Sequence, residues 1–73
     1  MKIRLREGVI GGICKREDIS RDELARRLKI ASTTAWRIDR GEVEPSPRFI
    51  ASLITFTGEK FEDLFEVVGE DAA

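Results

Sequence analysis

The chain contains no histidine, no tyrosine and only one cysteine, Cys14. A single thiol cannot form an internal disulfide bond, and without histidine neither a zinc site nor a histidine-based catalytic centre can be assembled. The hydroxyl groups have no adjacent base to activate them. We therefore expect no enzymatic activity, no metal site and no cofactor. Cys14 is expected to face the core rather than to act as a redox sensor, since no second thiol is present to form a disulfide with it after oxidation.

Long apolar segments are also missing. No run approaches the roughly 20 residues of a membrane-spanning helix, and no apolar leader with a small-residue cleavage site is present. These absences predict a soluble cytoplasmic protein. The 73 residues are enough for one domain, spanning 1–73, whose core is marginal unless the chain dimerises or adds a sheet.

The net charge is only −1, but the charges are unevenly distributed. Residues 1–19 carry a net charge of +2, residues 20–40 carry +3, and residues 41–73 carry −6. A basic surface attracts a phosphate backbone, and acidic groups elsewhere limit non-specific association. The distribution favours a nucleic-acid-binding protein, with a possible protein partner for the acidic C-terminal half.

The segment from Ser20 to Gly41 has the pattern of two short helices joined by a tight turn. Ser20 is positioned to cap the first helix, with Glu23 reaching back to complete a capping box. Gly41 is positioned to end the second helix in a left-handed conformation. Apolar residues at helical spacing allow the two helices to pack across a turn at residues 29–31. These residues are Leu24, Ala25, Leu28, Ala35 and Ile38.

The chain on either side predicts supporting elements. Residues 2–6 alternate polar and apolar side chains, which predicts a strand, and residues 65–68 are its predicted partner because an isolated strand is unstable. The alternative is that residues 2–6 extend the first helix. Helices are expected over about 8–16 and 60–65, and the tail 69–73 is expected to fray.

A further helix is predicted from Ser46, as its cap, and Pro47, as its first residue, to about Thr57. Its apolar residues cover more than one face: Phe49, Ile50, Leu53, Ile54 and Phe56. We expect either that Ile54 or Phe56 contacts a second subunit, or that the helix makes a broad core contact over the terminal sheet.

The segments ISRDELARRLKI and TTAWRIDRG, followed by EPS and FEDLF, resemble the Cro-repressor (XRE) family of helix-turn-helix regulators. The similarity runs without gaps from about Ile10 to Phe65. It implies a mainly α, lambda-repressor-like domain of five helices, to which the predicted two-stranded sheet would be added. It also implies that the second helix of the motif, residues 32–40, lies in the major groove of DNA.

The resemblance assigns base contacts to Ser32, Thr33 and Arg37, and helical spacing turns these residues and Trp36 outward. Arg37 is the leading specificity residue because its guanidinium can donate two hydrogen bonds to guanine. The alternative is that Arg37 contacts only phosphate or pairs with a carboxylate. Trp36 either contacts a thymine methyl, a sugar or a phosphate, or folds over the motif as an outlying core residue.

Phosphate contacts are expected from Arg21 and Arg40, which match backbone-contacting positions of the family, and from the hydroxyls of Thr34 and Ser46. Three other basic residues, Arg26, Arg27 and Lys29, form a charge run that is more often a solvated helix face. The acidic loop residues Glu42 and Glu44 are expected to repel phosphate or to contact a protein.

The chain departs from the family pattern at several other positions. Ala31 replaces the usual serine or threonine cap, so the cap is predicted to move to Ser32. Lys29 occupies a position that is usually glycine, where a left-handed turn costs about 1 kcal/mol. Gly11 and Gly12 each cost about 1 kcal/mol in a helix interior, which predicts tight packing or a close backbone neighbour.

The resemblance implies a sequence-specific regulator of phage or bacterial type that represses transcription by occupying a double-stranded DNA operator. One helix contacts only a few base pairs, so a homodimer on a two-fold site is expected. The alternatives are an antitoxin or adaptor module that binds a protein through the same fold, or an architectural or recombination factor with little sequence preference.

Overall fold

The computed structural model describes residues 2–69. The fold is mainly α, with five helices and one two-stranded sheet in this part of the chain, as the sequence predicted. The elements in chain order are β1 (Lys2–Leu5), α1 (Val9–Glu17), α2 (Arg21–Arg27), α3 (Ser32–Asp39), α4 (Pro47–Thr57), α5 (Phe61–Leu64) and β2 (Phe65–Val68). Apart from Gly69, the tail predicted to fray lies outside the described residues.

The sheet joins the two ends of the domain. β1 and β2 are antiparallel, with Leu5 opposite Phe65 and Ile3 opposite Val67. Leu5 and Phe65 are buried, which anchors both strands to the core. The predicted strand pair is therefore confirmed, and the alternative, in which residues 2–6 extend α1, is wrong.

One hydrophobic core lies between the helices and the sheet, and all seven elements contribute to it. The interior face of each helix matches the apolar spacing of the sequence. The buried side chains of this core are Leu5, Ile10, Ile13, Leu24, Leu28, Ile38, Phe49, Leu53, Leu64 and Phe65.

Serine caps fix where α2 and α4 begin. The Ser20 hydroxyl accepts a hydrogen bond from the Glu23 amide at 3.1 Å, and the Ser46 hydroxyl accepts one from the Phe49 amide at 3.1 Å. These bonds satisfy amides that have no partner within the helix. The reciprocal half of the predicted capping box differs, because the Glu23 carboxylate pairs with two arginines of its own helix, Arg26 and Arg27.

Residues 60–65 form a shorter helix than predicted, because Phe65 leaves α5 and begins β2. The Phe65 ring stacks on Phe61 at 5.2 Å and meets Phe49 edge-on at 6.3 Å, so burial of the ring outweighs one more residue of helix.

Ile54 and Phe56 of α4 are partly buried against the same core, which supports the prediction that α4 makes a broad core contact. A dimer contact at these residues stays a prediction.

Gly11 and Gly12 lie in the exposed middle of α1. A Cβ added at either position would have no neighbour within 4 Å, so the prediction of a close backbone neighbour is wrong. The paired glycines weaken α1 without any packing requirement among the described residues.

We expect Gly11→Ala and Gly12→Ala each to raise the free energy of unfolding by up to about 1 kcal/mol, because alanine restricts the unfolded chain and favours helix. Urea unfolding followed by circular dichroism measures the change. Gly41→Ala, at a residue with a φ of 79°, is the matched control and should be destabilising. Loss of stability in both α1 variants would show that the α1 backbone or its surroundings differ from this description.

Within residues 2–69, no helix has both the length and the apolar character needed to cross a membrane.

Candidate nucleic-acid interface

The turn between α2 and α3 positions the α3 helix. Lys29 has a φ of 61°, the left-handed conformation that its position requires. The Ile30 amide donates to the Ala25 carbonyl at 3.0 Å, and the Ile30 side chain is half-buried against the core. These contacts offset the roughly 1 kcal/mol that a left-handed lysine costs. α3 then buries Ile38 in the core and leaves its opposite side in solvent.

The amino end of α3 lacks a side-chain cap. Ala31 occupies the cap position and Ser32 is the first helical residue, so the predicted shift of the cap to Ser32 is wrong. Alanine at this position cannot accept a hydrogen bond from the first-turn amides. Within residues 2–69 the hydroxyl groups that make hydrogen bonds are those of Ser20, Ser46 and Thr57, so the Ser32 hydroxyl can contact a ligand.

The carboxyl end of α3 is closed by a left-handed residue at Gly41, as predicted. The Gly41 amide donates to the Ile38 carbonyl at 3.0 Å, and the Glu42 amide donates to the Arg37 carbonyl at 2.8 Å. This pair of bonds is a Schellman motif. It turns the chain back along the helix and places Glu42 beside Arg40.

The exposed side of α3 forms a shallow depression. We call it the α3 surface and define it by the residues that line it: Ser32, Thr33, Trp36, Arg37, Arg40 and Glu42. All four residues predicted to contact bases lie here, together with one of the predicted phosphate contacts, Arg40. These five residues lie on one side of α3, because side chains three and four residues apart in a helix share a face.

Arg37 is exposed on the α3 surface. Within residues 2–69, no carboxylate oxygen lies within 4.0 Å of its guanidinium nitrogens. Its donors are therefore available to an external acceptor, and the predicted alternative of an intramolecular ion pair is not observed in the described residues. Whether Arg37 contacts a base or a phosphate remains a prediction.

Trp36 packs against neighbouring side chains and is also partly exposed, and its contact with DNA stays a prediction. Its side chain is 44% exposed, and the guanidinium carbons of Arg21 and Arg40 lie 5.1 and 5.6 Å from the ring centroid. Such cation–π contacts fix both the ring and the arginines. Trp36 also lines the small crevice between α2 and α3. The indole thus lies over the α2–α3 junction with one side open to the α3 surface.

Two of the predicted phosphate-contacting residues already have acidic partners. Arg21 pairs with Asp39 at 3.4 Å, and Arg40 pairs with Glu42 at 3.0 Å. The Ser46 hydroxyl is used as the α4 cap, although it accepts that bond and can still donate one. Thr34 is exposed but does not line the depression. The guanidinium groups of Arg21 and Arg40 are therefore less available to phosphate than the sequence indicates.

The acidic loop after α3 is attached to the domain itself. The Ile3 amide donates to the Glu44 carboxylate at 2.9 Å, which connects the loop to β1. The sequence predicted that Glu42 and Glu44 contact another protein or repel phosphate. It did not predict their partners within the domain, which are Arg40 for Glu42 and the Ile3 amide for Glu44.

Arg4 is a basic residue near the carboxyl end of α3, and the sequence did not predict it as a site residue. A Cβ on Gly41 would lie 3.0 Å from its Nε atom, so Arg4 lies over the carboxyl end of α3. Alternation in β1 indicates that Arg4 faces away from the core, but only the tertiary fold brings β1 to this helix end.

Cys14 packs against the core and is partly buried, as expected. Burial raises the pKa of its thiol above the ordinary value, with Arg21 lowering it and Asp39 raising it to smaller extents. The thiol is therefore a poor nucleophile near neutral pH. Among residues 2–69, no group of three or more acidic or cysteine side chains is arranged to hold a metal ion.

No protein-family model matches the chain, and no curated protein matches it at a significant level.

Proposed function

We propose that this protein is a sequence-specific DNA-binding transcription regulator of bacterial or phage type that acts in the cytoplasm. In this proposal α3 enters the major groove, and the protein represses transcription by occupying an operator. The proposal places the chain with the Cro-repressor (XRE) regulators that its sequence resembles. It assigns no catalytic role and no cofactor.

The observation that best supports the proposal is that Arg37 is exposed on the α3 surface and has no acidic partner among residues 2–69. A guanidinium on an exposed helix can reach a guanine edge and donate two parallel hydrogen bonds. Ser32 and Thr33 lie one turn earlier, where short hydroxyl side chains allow the helix to approach the bases. Arg40 within the surface and Arg21 beside it, both in contact with Trp36, are proposed to bind the phosphate backbone.

We propose that the active form is a homodimer. One copy of α3 spans only a few base pairs, and two copies on a two-fold site would contact half-sites about 34 to 36 Å apart. Ile54 and Phe56 are the proposed dimer contacts, because both are apolar and only partly buried in the domain.

Selection from a pool of randomised duplexes tests sequence specificity directly. Trp36 is the only tryptophan and the chain has no tyrosine, so its emission reports binding at the α3 surface without any label. We expect a two-fold motif to be enriched, and the enriched duplex to change Trp36 emission at lower concentration than a scrambled duplex does. Enrichment without two-fold symmetry would argue against the dimer.

A protein-binding function is the second candidate. Val43, Val67 and Val68 are each at least 39% exposed, and exposed apolar side chains favour a protein partner, as in an antitoxin or adaptor. This candidate would gain support if the selection enriched no sequence and Trp36 emission did not respond to DNA. Binding that depends on salt but on no sequence would instead indicate an architectural or recombination factor.

A further inference from the structure

Two acidic residues, one lining the α3 surface and one at its edge, form ion pairs with the two arginines that are proposed to contact DNA phosphates. Asp39, in the last turn of α3, pairs with Arg21 at 3.4 Å, and its side chain is only 19% exposed. Glu42, in the loop after α3, pairs with Arg40 at 3.0 Å. Both ion pairs lie beside Trp36, whose ring contacts both guanidinium groups.

A carboxylate and a phosphate present similar oxygen acceptors to arginine, and both favour two parallel hydrogen bonds. One guanidinium cannot give its best donors to both groups at once. A phosphate that approaches Arg40 must therefore displace Glu42, and the displaced carboxylate then lies close to a negatively charged backbone. Each exchange therefore reduces the net free energy of binding that a phosphate contact contributes.

We propose that Asp39 and Glu42 compete with DNA phosphates for Arg21 and Arg40, and thereby limit the sequence-independent part of DNA binding. The inference rests on the proposed DNA-binding function. Arg37 has no such partner among residues 2–69, so its base contact requires no exchange. Binding then depends more on the bases that Arg37 contacts and less on the backbone common to all DNA.

Trp36 maintains this arrangement. Because its ring lies within 5.6 Å of both guanidinium carbons, loss of either carboxylate leaves the arginine held at the α3 surface by the cation–π contact. The arginine is then available to phosphate without having to be positioned again. Removal of the carboxylate should therefore strengthen binding rather than release the arginine into solvent.

Glu42→Gln is the main test, measured as affinity for a non-specific duplex at several salt concentrations through Trp36 emission. We expect affinity to rise about 3- to 10-fold at low salt, and the slope of log affinity against log salt to steepen by about one unit. Asp39→Asn should act in the same direction, with circular dichroism to verify folding because Asp39 is more buried.

Glu59→Gln is the matched control. It removes the same charge from an ion pair of similar length, Arg16–Glu59 at 3.1 Å, in a depression lined by α1 and α5. Glu44→Gln controls for charge within the same loop, because Glu44 bonds to the Ile3 amide and pairs with no arginine among the described residues. Equal increases in affinity for all three variants would overturn the inference in favour of a general charge effect.

A double-mutant cycle separates exchange from long-range repulsion. Glu42→Gln should have little effect in an Arg40→Ala background, since no arginine remains to be released. A full effect in that background would overturn the proposed competition.

If wild type binds DNA and Glu42→Gln leaves affinity and salt slope unchanged, this inference fails alone. If neither wild type nor any variant binds duplex DNA, the proposed function fails with it.

Discussion

Replacement of Arg37 by alanine is expected to weaken binding to the selected DNA site by about 1 to 3 kcal/mol, roughly 5- to 150-fold. The loss follows from the position of Arg37, which is exposed on the α3 surface and has no acidic partner among residues 2–69. The variant should fold normally, because an exposed helical position accepts alanine without strain. Titration of the selected and scrambled duplexes with both proteins measures the loss.

Arg37→Lys distinguishes a base contact from a phosphate contact. Lysine keeps the positive charge but lacks the planar pair of donors that matches guanine. If Arg37 contacts a base, Arg37→Lys should lose most of its preference for the selected duplex and keep the wild-type salt slope. Retention of the full preference by the lysine variant would contradict a guanine contact that depends on the planar guanidinium.

The largest effect on stability is expected at Phe49. Its side chain is 1% exposed and meets the Phe65 ring edge-on, so Phe49→Ala removes contacts between α4 and β2 at the centre of the core. A buried phenylalanine replaced by alanine typically costs about 3 to 5 kcal/mol. Since a domain of this size is stable by only about 3 to 5 kcal/mol, we expect the variant to be largely unfolded at 25 °C.

Phe56→Ala is the control for Phe49→Ala, because both residues lie in α4 and Phe56 is only partly buried. We expect Phe56→Ala to fold, and urea unfolding to give a clearly smaller loss of stability. If Phe56 also contacts a second subunit, the wild-type unfolding midpoint should rise with protein concentration and that of Phe56→Ala should not. A Phe49→Ala protein as stable as wild type would contradict the core described above.

Local sequence patterns were sufficient to predict most elements of the fold. Ser20 and Ser46 predicted where two helices begin, and Gly41 predicted where α3 ends. The alternation of residues 2–6 predicted β1. These features act over a few residues through capping bonds, allowed backbone angles and periodicity, so they can be recognised without knowledge of the tertiary structure.

Predictions that depended on contacts between distant segments were less complete. The glycine pair in α1 predicted a close neighbour that the structure lacks, and Phe65 was assigned both to the last helix and to the strand 65–68, of which the structure forms only the strand. The cap of α3 was assigned to Ser32 although Ala31 occupies that position. In the first two cases the outcome depends on what packs against the residue, which spacing along one segment does not specify.

The sequence by itself determined the mainly α fold with its terminal sheet and the set of side chains on the exposed side of α3, because helical and strand periodicity decide which residues share a face. Only the tertiary structure decided which residues of distant segments pair around this surface. Arg21 is 18 residues from Asp39, and Ile3 is 41 residues from Glu44, yet each pair is in contact. Packing of α2 on α3, and of β1 beside the loop after α3, brings these groups together. The pairing leaves Arg37, but neither Arg21 nor Arg40, free of an acidic partner within the described residues.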